Sequence, residues 1–313
     1  MSIKNILKKN NSNFTEAEKY NRMKKAVITL SAVVGVLAAS LAFIVYTNYD
    51  YLVFKTMLTR GYIYQDSVSE LIDDELEQDD SDVSTYFDDA VINIFLNRLY
   101  DVSGDRYTYL YLPYQYTNRV IDEEETGKSC EWIPFNQDTA YMKITNFSDE
   151  SADFVKENSE ELSKYSNIVI DLRGNGGGYV TSVKEIADMF LDKGETISSE
   201  KALIGAFSRE NVSKNDAVFN FNKIIILQDG ETASASEILI GALRDNLKNV
   251  TLLGTTTFGK GIGQTTIPLT KGFYLKATAF SWATPDGSEI QGKGIQPDYE
   301  FSLEKLNSIL EEE

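Results

Sequence analysis

The chain begins with a polar, basic stretch that runs into a long apolar one. Residues 1–25 carry more Lys and Arg than Asp and Glu, and residues 26–46 carry no charge. An uncharged run of this length matches the roughly 20 residues that a transmembrane helix needs. We therefore predict a cytoplasmic basic tail at 1–25 and a single transmembrane anchor at 26–46, with the rest of the chain extracytoplasmic in the cell membrane. A cleaved signal peptide is the alternative interpretation.

Residues 47–127 have mixed helical spacings and are predicted to form a helical N-terminal segment. We expect helices at 52–76 and 86–99, a strand-like aromatic stretch at 104–110 and a charged, turn-rich boundary at 122–128. Seven of the ten residues from 73 to 82 are acidic. They lack the spacing and the glycine of an EF-hand, so a solvated loop is expected there.

From residue 128 to the end, apolar runs alternate with amphipathic stretches. Strands are predicted at 140–144, 168–172, 223–227, 250–253 and 273–280. Helices are predicted at 151–162, 181–191 and from 231 to 247. Such alternation predicts an α/β core at 128–313 with a mostly parallel sheet. Active sites of such folds gather at the carboxyl ends of the strands.

Composition narrows the chemistry that this core can perform. The formal net charge of -18 argues against nucleic acid as a partner, because phosphates would be repelled. The chain has no histidine, which excludes Ser-His-Asp and Cys-His catalysis and histidine metal sites. The single cysteine, Cys130, excludes an intrachain disulfide and thiolate zinc clusters. We expect neither a metal nor a cofactor, and make no prediction of oligomeric state.

Ser234 lies where a strand turns into a helix, flanked by two alanines. This arrangement suits a nucleophile, and the helix N-terminus would stabilise developing negative charge. The alternative is structural, because Ser234 with Glu237 also forms a capping-box pattern.

Without histidine, a lysine is the natural base for a serine, and Lys260 follows the next strand. A lysine amine has a reference pKa of about 10.4, so burial must lower it. Phe258 and the glycines around Lys260 are expected to exclude water, and Gln264 to orient the amine. A P-loop at 254–260 is the rival, but Gly261 replaces its Ser or Thr and no helix is predicted to follow.

A glycine cluster at 176–178 follows the strand at 168–172. Consecutive glycines let backbone N–H groups face outward, as an oxyanion hole requires. A plain tight turn is the alternative. A dinucleotide fingerprint fails, because Tyr179 stands where its last glycine is needed.

Four motifs in this order resemble the carboxyl-terminal processing, or tail-specific, proteases, a family of serine–lysine peptidases with a crotonase/ClpP-like core. They are DLRGNGGG at 171–178, TASASE at 232–237, TFGKGIGQ at 257–264 and TPDGSEIQGKGIQPD at 284–298. The resemblance implies a catalytic role for Ser234, Lys260 and Gln264, an oxyanion hole at Gly177 and Ala235, and a supporting carboxylate at Asp245.

The resemblance also marks one departure from the family. Members commonly carry a PDZ domain before the core, but here only residues 110–138 are available, fewer than the roughly 50 that a domain needs. We therefore expect substrates to be selected without a PDZ domain.

The resulting hypothesis is a membrane-anchored extracytoplasmic serine endopeptidase acting on unfolded or C-terminal protein segments. Its partners would be a protein or peptide substrate and the membrane. One alternative is a non-catalytic peptide-binding scaffold that retains the fold. Another is acyl-thioester chemistry on a related crotonase-like architecture, which the serine–lysine pair disfavours.

Overall fold

The computed structural model describes residues 15–64, 89–112, 115–116, 129–270 and 273–312. The predictions for the acidic loop at 73–82 and the boundary at 122–128 lie outside these residues. The chain divides into two compact units, and the described residues up to Val53 belong to the first. Described residues from Phe54 onward belong to the second.

The apolar run lies in helix α1, Glu16–Thr47. The helix begins before the uncharged run because Thr15 caps it. The Glu18 N–H donates to the Thr15 hydroxyl, and the Glu18 carboxylate accepts from the Thr15 N–H at 2.8 Å. None of the α1 residues is buried. By length and composition, α1 is compatible with a membrane span or with a signal sequence.

Short helices occupy part of the chain before the core. They are α2 (Tyr49–Thr56), a single π-helical turn (Met57–Gly61) and α3 (Asp89–Ser103). Leu58, Tyr62, Leu96 and Leu99 are buried. The described residues of this part of the chain thus include helices, and the predicted segment at 47–127 stays a prediction.

The core contains a five-stranded sheet in the order β2-β3-β4-β7-β8. Its strands are β2 (Cys130–Pro134), β3 (Thr139–Ile144), β4 (Asn167–Asp171), β7 (Lys223–Gln228) and β8 (Val250–Gly254). Strands β3, β4, β7 and β8 run parallel, and only the edge strand β2 is antiparallel. The parallel strands are those that the apolar runs predicted.

Both faces of this sheet are covered, which explains why its strands are apolar at successive positions. Ile168, Ile170 and Ile226 contribute to the main cluster, which also contains residues of three helices. These helices are α4 (Asp149–Glu157), α6 (Val180–Asp188) and α7 (Ala235–Asn246). On the other face, Val169 and Ile225 pack with side chains of the last helix, α8 (Leu303–Glu311).

The predicted helix at 151–162 is interrupted at Asn158. Helix α4 ends there, and α5 (Ser159–Leu162) follows. The Asn158 side chain explains the break, because its amide donates to the Phe154 carbonyl and its oxygen accepts from the Trp132 indole at 2.9 Å. A side chain that bonds to the backbone in this way competes with helix continuation.

A second sheet corrects the prediction of one mostly parallel sheet. Its strands are β1 (Tyr109–Tyr111), β5 (Thr196–Ala202), β6 (Arg209–Val212), β9 (Ile262–Pro268) and β10 (Tyr274–Ala283). All of their pairings are antiparallel, in the order β1-β10-β5-β6 with β9 also paired to β10. The prediction failed because β5, β6 and β9 are rich in polar residues and lack a clear alternating pattern. The core is α/β, but only one of its two sheets is largely parallel.

Candidate active site

Ser234 occupies a strained turn between β7 and α7. Its φ of 58° and ψ of -114° differ from the extended backbone of a conventional N-cap. Among the described residues it is the only non-glycine with a positive φ. Such strain costs about 1–3 kcal/mol and persists only where the surroundings enforce it. The backbone geometry therefore favours the nucleophile interpretation over a simple helix cap.

Asn175 helps to enforce this turn. Its carbonyl accepts hydrogen bonds from the Ala233 N–H and the Ser236 hydroxyl, each at 2.9 Å. Its amide nitrogen donates to the Ile144 carbonyl at 2.9 Å. Asn175 is fully buried. The glycine-rich loop and the serine turn are thus joined at one buried asparagine, to which the sequence analysis gave no role.

Glu237 joins the serine turn, residues 229–234, to the lysine loop, residues 255–261 between β8 and β9. One carboxylate oxygen accepts from the backbone N–H of Ser234 at 2.8 Å and of Lys260 at 2.9 Å. The other accepts from the Thr257 hydroxyl at 2.5 Å and the Gly259 N–H at 2.7 Å. The side chain has no solvent exposure. The sequence suggested only a capping role, and the signal that was missed is a glutamate placed among the apolar residues of α7.

The fourth motif, residues 284–298, packs against the lysine loop. The Thr257 hydroxyl accepts from the Ile295 N–H at 2.7 Å, and the Gln291 side chain accepts from the Gly261 N–H at 2.8 Å. Gly259 has a φ of 83°, and a Cβ there would lie 2.7 Å from the Gly294 nitrogen. The loop therefore needs glycine for close packing, and β9 follows it. This agrees with the prediction that no P-loop helix would follow Lys260.

The side chain of Lys260 is half-buried against an aromatic ring. Its Nζ lies 4.8 Å from the centre of the Tyr107 ring. The Trp282 indole donates to the Lys260 carbonyl at 3.2 Å, which fixes the backbone from which the side chain extends. Phe258, which was expected to shield the amine, is 50% exposed.

Gln264 lies on β9, opposite Thr278 of β10. Its Nε2 atom is buried and has no hydrogen-bond partner among the described residues. A buried amide without a partner is costly, so it is typical of a functional position rather than of simple packing. Its predicted role in orienting Lys260 stays a prediction.

The two predicted oxyanion donors differ in their surroundings. The backbone of Gly177 lies against the serine turn, since a Cβ there would be 2.8 Å from Ser234 Cβ and 3.1 Å from the Ala235 nitrogen. However, the Gly177 N–H donates to Asn175 Oδ1 at 2.9 Å. Ala235 is the first residue of α7, where a backbone N–H has no partner within the helix. In this conformation Ala235 is the better-placed donor.

Asp245 makes its contacts at the other end of α7. It accepts from Arg244 Nε at 2.8 Å and from the Asp286 N–H at 3.1 Å. Asp286 belongs to the turn that opens the fourth motif, so Asp245 supports the segment that packs on the lysine loop. These contacts fit a supporting role better than a direct one.

The DLRG motif is held by a second carboxylate. Burial opposes ionisation of Asp171, but hydrogen bonds from Arg173 and Tyr141 hold its pKa below the usual range. Arg173 Nε lies 2.8 Å from one Asp171 oxygen, and the Tyr141 hydroxyl lies 2.6 Å from the other. Burial raises the pKa of Tyr141 to about 12. This cluster fixes the strand end from which the glycine loop departs.

No candidate metal centre is found in the part of the chain that the structure describes. Within these residues, no group of three or more Asp, Glu, Cys or His side chains is arranged to hold an ion.

The order of the four motifs along this fold agrees with the peptidase class that they resemble. Residues 138–301 match the model of Peptidase family S41, which is more than half of the chain. The chain therefore belongs to this family, and the resemblance drawn from the motifs is confirmed.

Curated relatives are described as probable CtpA-like serine proteases. The chain is 39% identical over 170 residues to a probable CtpA-like serine protease of Staphylococcus haemolyticus, covering 53% of this chain and 34% of the relative. It is 37% identical over 172 residues to the Staphylococcus aureus (strain COL) protein of that description, covering 54% and 34%. The chain thus spans about a third of the length of these relatives.

Solved structures show the same fold. The photosystem II D1 C-terminal processing protease matches with a TM-score of 0.62 at 18% identity, covering 80% of this chain and 92% of that one. A lipoprotein from Streptococcus agalactiae matches with a TM-score of 0.61 at 17% identity, covering 84% and 94%.

Proposed function

We propose that this chain is a serine endopeptidase in which Ser234 is the nucleophile and Lys260 the general base. The observation that carries the proposal is the position of the Glu237 carboxylate, which bonds to the backbone N–H groups of both residues at 2.8 and 2.9 Å. A buried charge shared between two loops fixes both in one arrangement, which is what positioning a nucleophile and its base requires.

The reaction has two stages. In the first, Lys260 Nζ takes the proton from Ser234 Oγ while Oγ attacks the peptide carbonyl carbon, and the Ala235 N–H donates to the resulting oxyanion. Lys260 then gives the proton to the leaving amine as the C–N bond breaks, which leaves an acyl-enzyme. In the second stage, Lys260 removes a proton from water, which attacks the ester carbon. Lys260 then returns this proton to Ser234 Oγ as the C–Oγ bond breaks, which releases the acyl portion of the substrate as a carboxylic acid and restores the free enzyme. No other reactant is needed.

We infer that substrates are unfolded or C-terminal protein segments. Extended chains can pair with a strand through their main chain, and β9 begins directly after the lysine loop. The photosystem II D1 C-terminal processing protease, which shares the fold, is named for the processing of a C-terminal segment, which supports the second of these substrate types. For location, we propose that α1 is a single-pass anchor with the core extracytoplasmic, because basic residues before the apolar run favour that orientation.

The test is cleavage of casein by the full chain in detergent. Ser234→Ala and Lys260→Ala should abolish cleavage, and Gln264→Ala should reduce it. Lys248→Ala is the matched control, since Lys248 is an exposed lysine just beyond α7. Parental cleavage by either dyad variant would refute the mechanism.

The alternative of a peptide-binding scaffold is favoured by one observation, the engagement of the Gly177 N–H with Asn175. A scaffold would bind unfolded chains without cleaving them. A serine-reactive phosphonate distinguishes the two functions, because mass spectrometry of the endopeptidase would show the adduct on Ser234.

A further inference from the structure

The segment at 105–108 lies against β10, the strand that carries Thr278, which is paired with Gln264 of β9. Residues 138–301 match the family model, so this segment lies outside the match. The Thr278 N–H donates to the Thr108 hydroxyl at 2.9 Å, and the Thr278 hydroxyl donates to Asp105 Oδ1 at 3.2 Å. Thr278 pairs directly with Gln264 across β9 and β10. Side chains of directly paired residues lie on the same face of a sheet, so the segment covers the face that Gln264 shares.

Asp105 makes the segment rigid. It accepts from the Thr108 hydroxyl at 2.6 Å and from the Tyr107 N–H at 2.9 Å, and it is itself buried. The Ser103 hydroxyl in turn accepts from the Asp105 N–H at 3.1 Å. Asp105 and Thr108 are therefore bonded to each other on either side of Tyr107, and the Tyr107 N–H is bonded to Asp105, so the backbone that carries the ring is fixed beside Lys260.

The contact between Tyr107 and Lys260 has the geometry of a cation–π interaction. The distance of 4.8 Å from Nζ to the ring centre is within the roughly 6 Å at which a ring attracts a cation. Burial raises the pKa of the Tyr107 phenol above its usual value, so the hydroxyl stays neutral. Tyr107 therefore acts through its ring face and not as a second base.

Building on the proposed function, we infer that Tyr107 is a positioning residue for Lys260. Its ring confines the amine and stabilises the ammonium that forms when Lys260 takes the proton of Ser234. The Tyr107 ring thus stabilises the protonated side chain of Lys260, whereas Glu237 holds the Lys260 backbone. The inference rests on the contact between the Tyr107 ring and the Lys260 amine, and on the hydrogen bonds by which Asp105 and Thr108 attach this segment to β10.

The test replaces Tyr107 in the full chain by phenylalanine and by phenylalanines with increasing ring fluorination. Fluorination removes electron density from the ring face while nearly preserving its shape, so the fold is kept. We expect Tyr107→Phe to retain activity. The most fluorinated ring should lower kcat about two- to five-fold at unchanged KM. It should also move the acidic limb of the kcat/KM profile about half a pH unit lower, because the ammonium of the resting enzyme loses the same stabilisation.

Tyr109 provides the matched control, because its ring lies 5.6 Å from Lys276 Nζ, a contact of the same kind at a lysine with no catalytic role. The same series at Tyr109 should leave kcat and the pH profile unchanged. The nearby Glu237 carboxylate is present in every variant, so its electrostatic effect on Lys260 is the same in all of them.

The outcomes separate the two proposals. If kcat does not follow fluorination at Tyr107, or follows it equally at Tyr109, the positioning role is wrong while acylation of Ser234 in the parent still supports the endopeptidase. If a serine-reactive phosphonate does not label Ser234 in the parent and casein is not cleaved, the proposed function itself fails.

Discussion

Glu237→Gln tests whether one buried carboxylate holds the site together. The substitution keeps the shape of the side chain but replaces one acceptor oxygen with an NH₂ group. The amide should turn this group toward Thr257, because the Thr257 hydroxyl can accept a hydrogen bond in place of donating one. In the parent, the Gly259 N–H donates to the same carboxylate oxygen at 2.7 Å. In the variant, this N–H would face the NH₂ group, which is also a donor.

The magnitude follows from this single mismatch. A buried N–H left without a partner costs about 1–3 kcal/mol, and the remaining bonds to Ser234 and Lys260 lose the strength that the charge provides. We therefore expect the free energy of unfolding of the core to fall by about 2–4 kcal/mol. A displacement of the lysine loop by about 1 Å should lower kcat roughly 100-fold.

The assay compares kcat for casein cleavage with the midpoint of urea unfolding in the same preparations. Asp188→Asn is the matched control. The Asp188 carboxylate likewise accepts several hydrogen bonds, including those from the Ser213 hydroxyl and the Asn215 side chain, both at 2.6 Å. Asp188 lies at the end of α6, apart from the serine turn and the lysine loop. Loss of its carboxylate should therefore lower the free energy of unfolding and leave kcat unchanged.

Two results would refute the reasoning. One is a Glu237→Gln enzyme with parental kcat, which would mean that the shared carboxylate does not position the site. The other is an equal loss of kcat in Asp188→Asn, which would mean that kcat follows general stability.

Three further predictions concern the surroundings of the site. Ser234→Gly should raise the free energy of unfolding by about 1 kcal/mol, seen in urea titration, and abolish cleavage, because glycine adopts the φ of 58° without strain. Asp245→Asn should lower kcat less than Glu237→Gln does, because Asp245 contacts the turn at Asp286 and not the dyad. For Asp171, the folded pKa is lowered, so its contribution to stability is complete above the unfolded pKa of about 3.9 and is lost as pH falls through the folded value. Asp171→Asn should therefore flatten the acid side of the curve of unfolding temperature against pH, and an unchanged curve would contradict the role of Arg173.

The parallel strands were predictable because burial on both faces leaves a continuous apolar signature. Ile168 to Ile170 pack alternately toward the helices and toward α8, so each position is apolar. Strand β9 could not be found in this way. Its residues are mostly half-buried, so the strand shows no strict alternation of apolar and polar positions, although it forms an antiparallel hairpin with the next strand, β10.

The site was predictable in its residue types and less so in its connections. Ser234 and Lys260 were singled out because the chain has no histidine to serve as a base. Glu237 was assigned only a local capping role, since its bond to Lys260 spans 23 positions that no local pattern records. Tyr107 was missed for the same reason.

The shared carboxylate of Glu237 also makes the site a single unit of local opening. The Ser234, Gly259 and Lys260 amides all donate to it, so displacement of this one carboxylate would free all three for exchange with solvent. Hydrogen-exchange rates of these three amides should therefore rise together when Glu237 is displaced or replaced. A ligand that displaced the Glu237 carboxylate would release the serine turn and the loop at Gly259 in the same event, which couples the two parts of the site.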